Sequence, residues 1–158
     1  MLKLNSNYTV ALLNIAIASE RTGAADDAVA SYRQALKVAP NLIEAQLGLA
    51  GLYAKKRMFG NAIEHYKEAI RIDPARALAY NNIGILYSQI GTHDLALKAF
   101  DDLINLDPSS ASAYANKGNV LMTMGRTREA LRQFETALTI DPDNKTARAG
   151  IGRLSKNK

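Results

Sequence analysis

Residues 62–74 read AIEHYKEAIRIDP, and the same frame returns at 28–40 as AVASYRQALKVAP, at 96–108 as ALKAFDDLINLDP and at 130–142 as ALRQFETALTIDP. Each copy opens on an alanine (Ala28, Ala62, Ala96, Ala130), carries an aromatic four residues on (Tyr32, Tyr66, Phe100, Phe134) and closes on Pro40, Pro74, Pro108 or Pro142. These are the only prolines in the chain, and successive ones stand 34 residues apart. A fixed period of that length marks a repeat array, in which one supersecondary unit stacks on the next. Within 62–74, Ile63, Tyr66, Ala69 and Ile70 share one helical face, while Glu64, Lys67, Glu68 and Arg71 share the other. Proline cannot continue a helix, so each copy is a helix that ends at its proline.

With the proline at position 32, the units run 9–42, 43–76, 77–110 and 111–144, with an N-terminal segment at 1–8 and a tail at 145–158. Each has room for helix A over positions 1–14 and helix B over positions 17–30. Gly23, Gly91 and Gly125 fall at position 15, where positive φ ends helix A cheaply. The second unit has Arg57 there and Gly60 three residues later, which leaves its turn open. Asn41, Ser110 and Asp143 are the expected caps of the helices that follow. Position 8 is small throughout (Ala16, Ala50, Gly84, Gly118), and position 7 is apolar (Ile15, Leu49, Ile83) except at Lys117. The alanines at position 20 let helices A and B approach closely, and the aromatics at position 24 fill the space between units. Leu103 breaks the alanine pattern of Ala35, Ala69 and Ala137 and predicts a local packing adjustment.

This period and phase resemble the tetratricopeptide repeat across residues 9–144. Position 4 departs from the family's usual aromatic, reading Leu12, Gln46, Tyr80 and Tyr114. The resemblance implies an all-α, right-handed α-solenoid. Beyond it, Ala147, Ile151 and Leu154 form an apolar stripe at positions 3, 7 and 10 of an incomplete fifth unit, and predict a capping helix.

Composition excludes several functions. The chain has no cysteine, so thiol chemistry and cysteine metal sites are absent. No metal-ligand spacing, glycine-rich phosphate loop or nucleophile motif occurs. His65 and His93 read as solvated, on a charged helix face and at a turn. The adjacent carboxylates Asp101 and Asp102 diverge around a helix and cannot share a metal. The expectation is a non-enzyme with no cofactor. The formal charge of +5 comes from Lys145, Arg148, Arg153, Lys156 and Lys158, after a balanced repeat region. Without a basic groove interleaved with aromatics, the pattern argues against a nucleic-acid partner, and it leaves an anionic surface as a minor partner of the basic tail. No stretch is long and apolar enough to span a membrane. Val10 to Ala18 is signal-like, yet it keeps the phase of the later repeats, so the expected compartment is the cytoplasm.

In the family the A helices line a concave groove for a protein or peptide ligand. Carried onto this chain, the resemblance nominates Asn14, Leu47, Asn81, Asn82, Ile85, Asn116, Asn119 and Met122. Position 6, reading Asn14, Gly48, Asn82 and Asn116, is similar to an interrupted form of the asparagine ladder of the N-acetylglucosamine transferase array. A side-chain amide both donates and accepts, so it can pair both polar groups of a ligand's peptide unit. The basic clamp of chaperone-tail adaptors is missing, since Leu13 and Ile17, Leu47 and Gly51, or Asn81 and Ile85 stand at its first positions.

The first helix is apolar on every side apart from Asn14 and Ser19. Val10, Leu12, Leu13, Ile15 and Ile17 are therefore candidates for self-association into a homo-oligomer, or for cover by the 1–8 segment through Leu2, Leu4 and Tyr8. The expected function is a peptide-binding scaffold. The alternatives are an oligomerising structural protein and the recognition domain of a larger enzyme.

Overall fold

The structure, a computed structural model, describes residues 2–156, with side chains from Asn7 onward. Among the described residues there are nine α-helices and no strand. They fall into two compact units, residues 1–76 and 77–158, and the division lies on a repeat boundary. The first unit holds α1 (Leu2–Thr22), α2 (Ala25–Val38), α3 (Ile43–Lys55) and α4 (Phe59–Ile72); the second holds α5 (Ala77–Gln89), α6 (His93–Leu106), α7 (Ala111–Thr123), α8 (Thr127–Ile140) and α9 (Lys145–Lys156). In each unit every A helix packs on its own B helix, and that B helix on the next A helix. This is the fold class of an all-α solenoid of helical repeats.

The B helices occupy positions 17–30 in all four repeats, as the apolar period requires. Each A helix ends in a Schellman turn, with Ala24, Met58, Thr92 and Arg126 donating their N–H groups to the carbonyls of Ser19, Tyr53, Tyr87 and Leu121 at 2.8–2.9 Å. Gly23, Gly91 and Gly125 take φ of 81°, 80° and 74° at the preceding residue. In the second repeat Arg57 itself adopts φ 59°, while Gly60 lies inside α4. The turn geometry is thus imposed by the packing of α3 on α4 even where the residue disfavours it.

Three sequence expectations need correction. The 1–8 segment continues α1 from Leu2, so it does not fold back over that helix; the side chains of Leu2 and Leu4 lie outside the described residues. Ser110 stands at the N-cap of α7, yet the side chains of Asn41, Ser110 and Asp143 make no cap bond. Asn41 instead accepts from Arg71 at 3.1 Å, Ser110 meets Ser112 at 3.2 Å, and Asp143 pairs with Arg148 at 2.8 Å. The cap of α9 is Asn144, whose Oδ1 accepts the N–H of Ala147 at 3.0 Å. At the Asp-Pro turns, Asp73, Asp107 and Asp141 accept the N–H groups of Ala75, Ser109 and Asp143 at 3.0–3.1 Å. These Asx-type bonds explain why Asp precedes proline. Finally, His65 is not solvated. It is half-buried on α4, 2.6 Å from Gln46 Oε1 and stacked on Tyr53 at 5.5 Å. Gln46, in the family's aromatic position, is only 7% exposed, and this histidine satisfies it.

The cores follow from the repeat phase. Ala28, Ala62, Ala96 and Ala130 are fully buried, and Tyr32, Tyr66, Phe100 and Phe134 are at most 4% exposed. Each such ring contributes on the order of 1.5–3 kcal/mol by burial. Four glycines stand where these rings leave no room for a side chain. A Cβ on Gly84 would lie 2.7 Å from Phe100, and one on Gly118 or Gly150 2.6 or 2.3 Å from Phe134. Phe134 is therefore wedged between position 8 of its own repeat and position 6 of the next. Tyr32 similarly takes the place a side chain on Gly48 would need. Lys117 stands where its sister repeats bury Leu49 and Ile83, and pairs with Asp101 of α6 at 2.5 Å.

Candidate functional site: the A-helix faces of the second unit

In residues 77–158 the A-type helices α5, α7 and α9 lie side by side, with α7 touching both others. Positions 5, 6, 9 and 12 share one side of each of these helices. Asn116 Nδ2 donates to Asn81 Oδ1 at 3.0 Å, which joins α7 to α5. Asn81 Nδ2 in turn points at Asn82 Oδ1 at 3.5 Å. Ile85, Ser88, Gln89, Phe100, Asn116, Asn119 and Val120 enclose an open cleft of about 160 Å³. Its lining joins the amides of Gln89, Asn116 and Asn119 and the Ser88 hydroxyl to apolar Ile85, Val120 and the nearly buried Phe100. That combination suits an extended segment whose peptide groups need donors and acceptors and whose side chains need apolar contact.

The structure thus brings together Asn81, Asn82, Ile85, Asn116 and Asn119, all half-buried. Met122 is also half-buried, but it packs against the Phe134 core and is more wall than contact. Asn14 and Leu47 belong to the first unit. There Asn14 is exposed and Leu47 half-buried, and the amide row is broken by Gly48, whose place beside Tyr32 has no room for a side chain. Tyr32 donates its hydroxyl to Glu20 Oε1 at 2.7 Å. Burial and the Glu20 carboxylate both hold that phenol protonated, so it acts as a fixed donor.

Sequence reasoning missed Arg153. Its Nη2 donates to Asn119 Oδ1 at 3.4 Å and its Nε to the Ala149 carbonyl at 3.3 Å, so it borders the same face. The signal was in the repeat phase: counting on from Ile151 at position 7 puts Arg153 at position 9, the counterpart of Asn119 and Ile85.

The first helix carries a second surface. Val10 and Ile15 are each 52% exposed and Ile17 is 42% exposed. Leu12 is buried and Leu13 half-buried, so Leu12 packs inward and adds nothing to this surface. Among the described residues no group of three or more histidines or carboxylates could hold a metal ion, and no helix is long and apolar enough to cross a membrane.

Comparison with known proteins agrees with this architecture. Tetratricopeptide-repeat family models match residues 10–42, 77–110 and 111–144, and a TPR-repeat model matches 59–91. Among solved structures, one of MamA superposes with a TM-score of 0.87 at 28% identity, covering 96% of this chain and 82% of that one. The fold of PilF from Pseudomonas aeruginosa is also similar, with a TM-score of 0.82 at 20% identity over 97% of this chain and 70% of that one. So is that of the first TPR of Spaghetti (RPAP3), solved with an HSP90 peptide, SRMEEVD, at a TM-score of 0.68 and 20% identity over 73% of this chain and 91% of that one. No curated protein matches the chain. With the helix pairs, the 34-residue period and these matches in agreement, the chain belongs to the tetratricopeptide-repeat family, whose fold is a scaffold for protein interaction.

Proposed function

We propose that this chain is a non-catalytic scaffold that holds an extended peptide segment against the A-helix faces of residues 77–158. The observation that carries the reading is the cleft lined by Asn116, Asn119 and Phe100, with half-buried Asn81 bonded to Asn116 beside it. Each amide bond to a ligand should contribute about 0.5–1.5 kcal/mol, so binding depends on several together with apolar contact at Ile85. The test is capture of partners from native lysate by the wild type and by an Asn82→Ala, Asn116→Ala, Asn119→Ala variant with an unchanged melting curve. Loss of the same partner proteins from the variant supports the reading. Their full retention removes the amide row from binding.

A second reading has its own observation. Ala11, Ile15 and Ala18 stand at positions 3, 7 and 10 of the first repeat and are exposed, whereas Ala45, Leu49 and Leu52 at the same positions of the second are buried. A helix face of this kind is built to be covered. Self-association through it predicts a concentration-dependent mass in sedimentation equilibrium that Ile15→Glu abolishes. A monomer at every concentration would dismiss it.

A further inference from the structure

Charge is distributed along the A-helix face of the second unit in a way that the binding of a neutral peptide does not require. From α5 the face reads Leu78, Asn81, Asn82, Ile85, Ser88 and Gln89, and from α7 Ser112, Ala115, Asn116, Asn119, Met122 and Thr123, with no charge at all. On α9 it ends in Arg153 and Lys156, both exposed. The acidic residues of the unit lie elsewhere: Asp94, Asp101, Asp102, Glu129 and Glu135 on the B helices, and Asp107, Asp141 and Asp143 in the turns.

Three other cations of the unit are paired where they stand. Arg148 is paired with Asp143 at 2.8 Å, Arg126 with Glu129 at 2.8 Å and Lys117 with Asp101 at 2.5 Å. Among the described residues Arg153 is bonded to two neutral oxygens, at 3.3 and 3.4 Å, and one of these partners, Asn119, also lines the cleft. A guanidinium offers five N–H groups in a fork matched to a carboxylate. In this position it is held over the cleft's edge with most of that capacity unspent.

We infer that the segment bound here is acidic: an extended peptide whose backbone lies on the Asn81, Asn116 and Asn119 amides and whose Asp or Glu side chain pairs with Arg153 at the α9 end, with Lys156 adding field. This rests on the reading in the previous subsection and names the ligand's chemistry within it. Among the described residues the face carries no acidic side chain, so the incoming carboxylate meets no repulsion there.

The test uses four fluorescein-labelled ten-residue probes in anisotropy titrations against the full chain: Ser-Glu, Ser-Gln and Ser-Lys repeats with amidated C-termini, and the Ser-Gln repeat as the free acid. The Ser-Glu probe should bind about tenfold more tightly than the amidated Ser-Gln probe, and Ser-Lys more weakly than either. Arg153→Gln should abolish the preference for Glu, Arg153→Lys should keep part of it, and Arg148→Gln, which removes the same charge from the same helix, should leave it intact. Added salt should erode the Ser-Glu affinity selectively.

If Ser-Gln binds as tightly as Ser-Glu and both are lost in Asn116→Ala, the groove stands and the acidic specificity is wrong. Equal loss in the Arg148 and Arg153 variants reduces the effect to net charge and overturns the assignment. A preference shown only by the free-acid probe moves the carboxylate to a chain end and also overturns it. If no probe binds, both readings fall.

Discussion

Replacing Gly48 by alanine sets two effects of known sign against each other. In a helix interior, alanine is better than glycine by about 1 kcal/mol. At Gly48, however, the new Cβ would stand 2.4 Å from Cζ of Tyr32 and 2.6 and 2.8 Å from its two Cε atoms. Tyr32 is only 4% exposed, and its hydroxyl is tied to Glu20, so the ring has nowhere to turn without breaking that bond. Overpacking of this kind costs about 1–3 kcal/mol, which leaves Gly48→Ala destabilising by roughly 0–2 kcal/mol after the propensity gain. Gly51 lies one turn along the same helix with nothing within 4 Å of its would-be Cβ, so Gly51→Ala should keep the whole gain of about 1 kcal/mol. The two variants should therefore differ by about 1–3 kcal/mol. For a chain of this size that is a separation of several degrees in Tm, at about 2–4 °C per kcal/mol. Paired urea and thermal denaturation reads it directly. Equal shifts in the two variants would refute the argument that Tyr32 leaves no room for a side chain at Gly48.

Three further outcomes follow from single contacts. Gly125→Ala should cost about 1–2 kcal/mol from backbone strain alone, because φ there is 74° and no atom crowds the site; denaturation with an unchanged m-value checks it. Lys117→Met should leave stability unchanged or raise it, since sister repeats bury Leu49 and Ile83 there, whereas Asp101→Ala, which strands the lysine, should lower it by about 1 kcal/mol. His65 is held below its ordinary pKa of 6.5 by burial, with Arg33 adding to the shift and Glu64 and Glu68 opposing it. The unfolded chain thus takes up a proton before the folded one does. Stability should be complete above 6.5 and fall as pH drops from there toward the lowered folded-state value. Urea midpoints measured against pH should show that decline, and His65→Gln should flatten it.

The fold was legible because its determinants are periodic. The four B helices run from position 17 to 30 as the alanine, aromatic and proline frame requires, and the buried rings and alanines are the residues that define that frame. What was not legible depends on partners far apart in sequence. Nothing near Gln46 announces that His65, 19 residues on, satisfies it. Nor does the Asp-x pattern show that aspartate bonds the turn after proline while the nominal caps turn elsewhere. Arg57 reads as a poor turn former, and only packing of the helix pair imposes its left-handed conformation. At the site, the amides came from repeat phase, but their joining through Asn116 and Asn81, and the break at Gly48, follow from where the aromatic rings sit. Arg153 was visible in phase and hidden by composition, because a cation in a basic tail looks like solubilising charge until its Asn119 contact is seen.

The most direct test of the scaffold reading is to watch the amides themselves. Selective 15N labelling of asparagine side chains, with titration of the Ser-Glu probe, should shift the Asn81, Asn82, Asn116 and Asn119 resonances while leaving those of Asn41, Asn61 and Asn105 in place. Shifts at Asn61 and Asn105 with none at Asn116 or Asn119 would put the ligand on another surface and contradict the account.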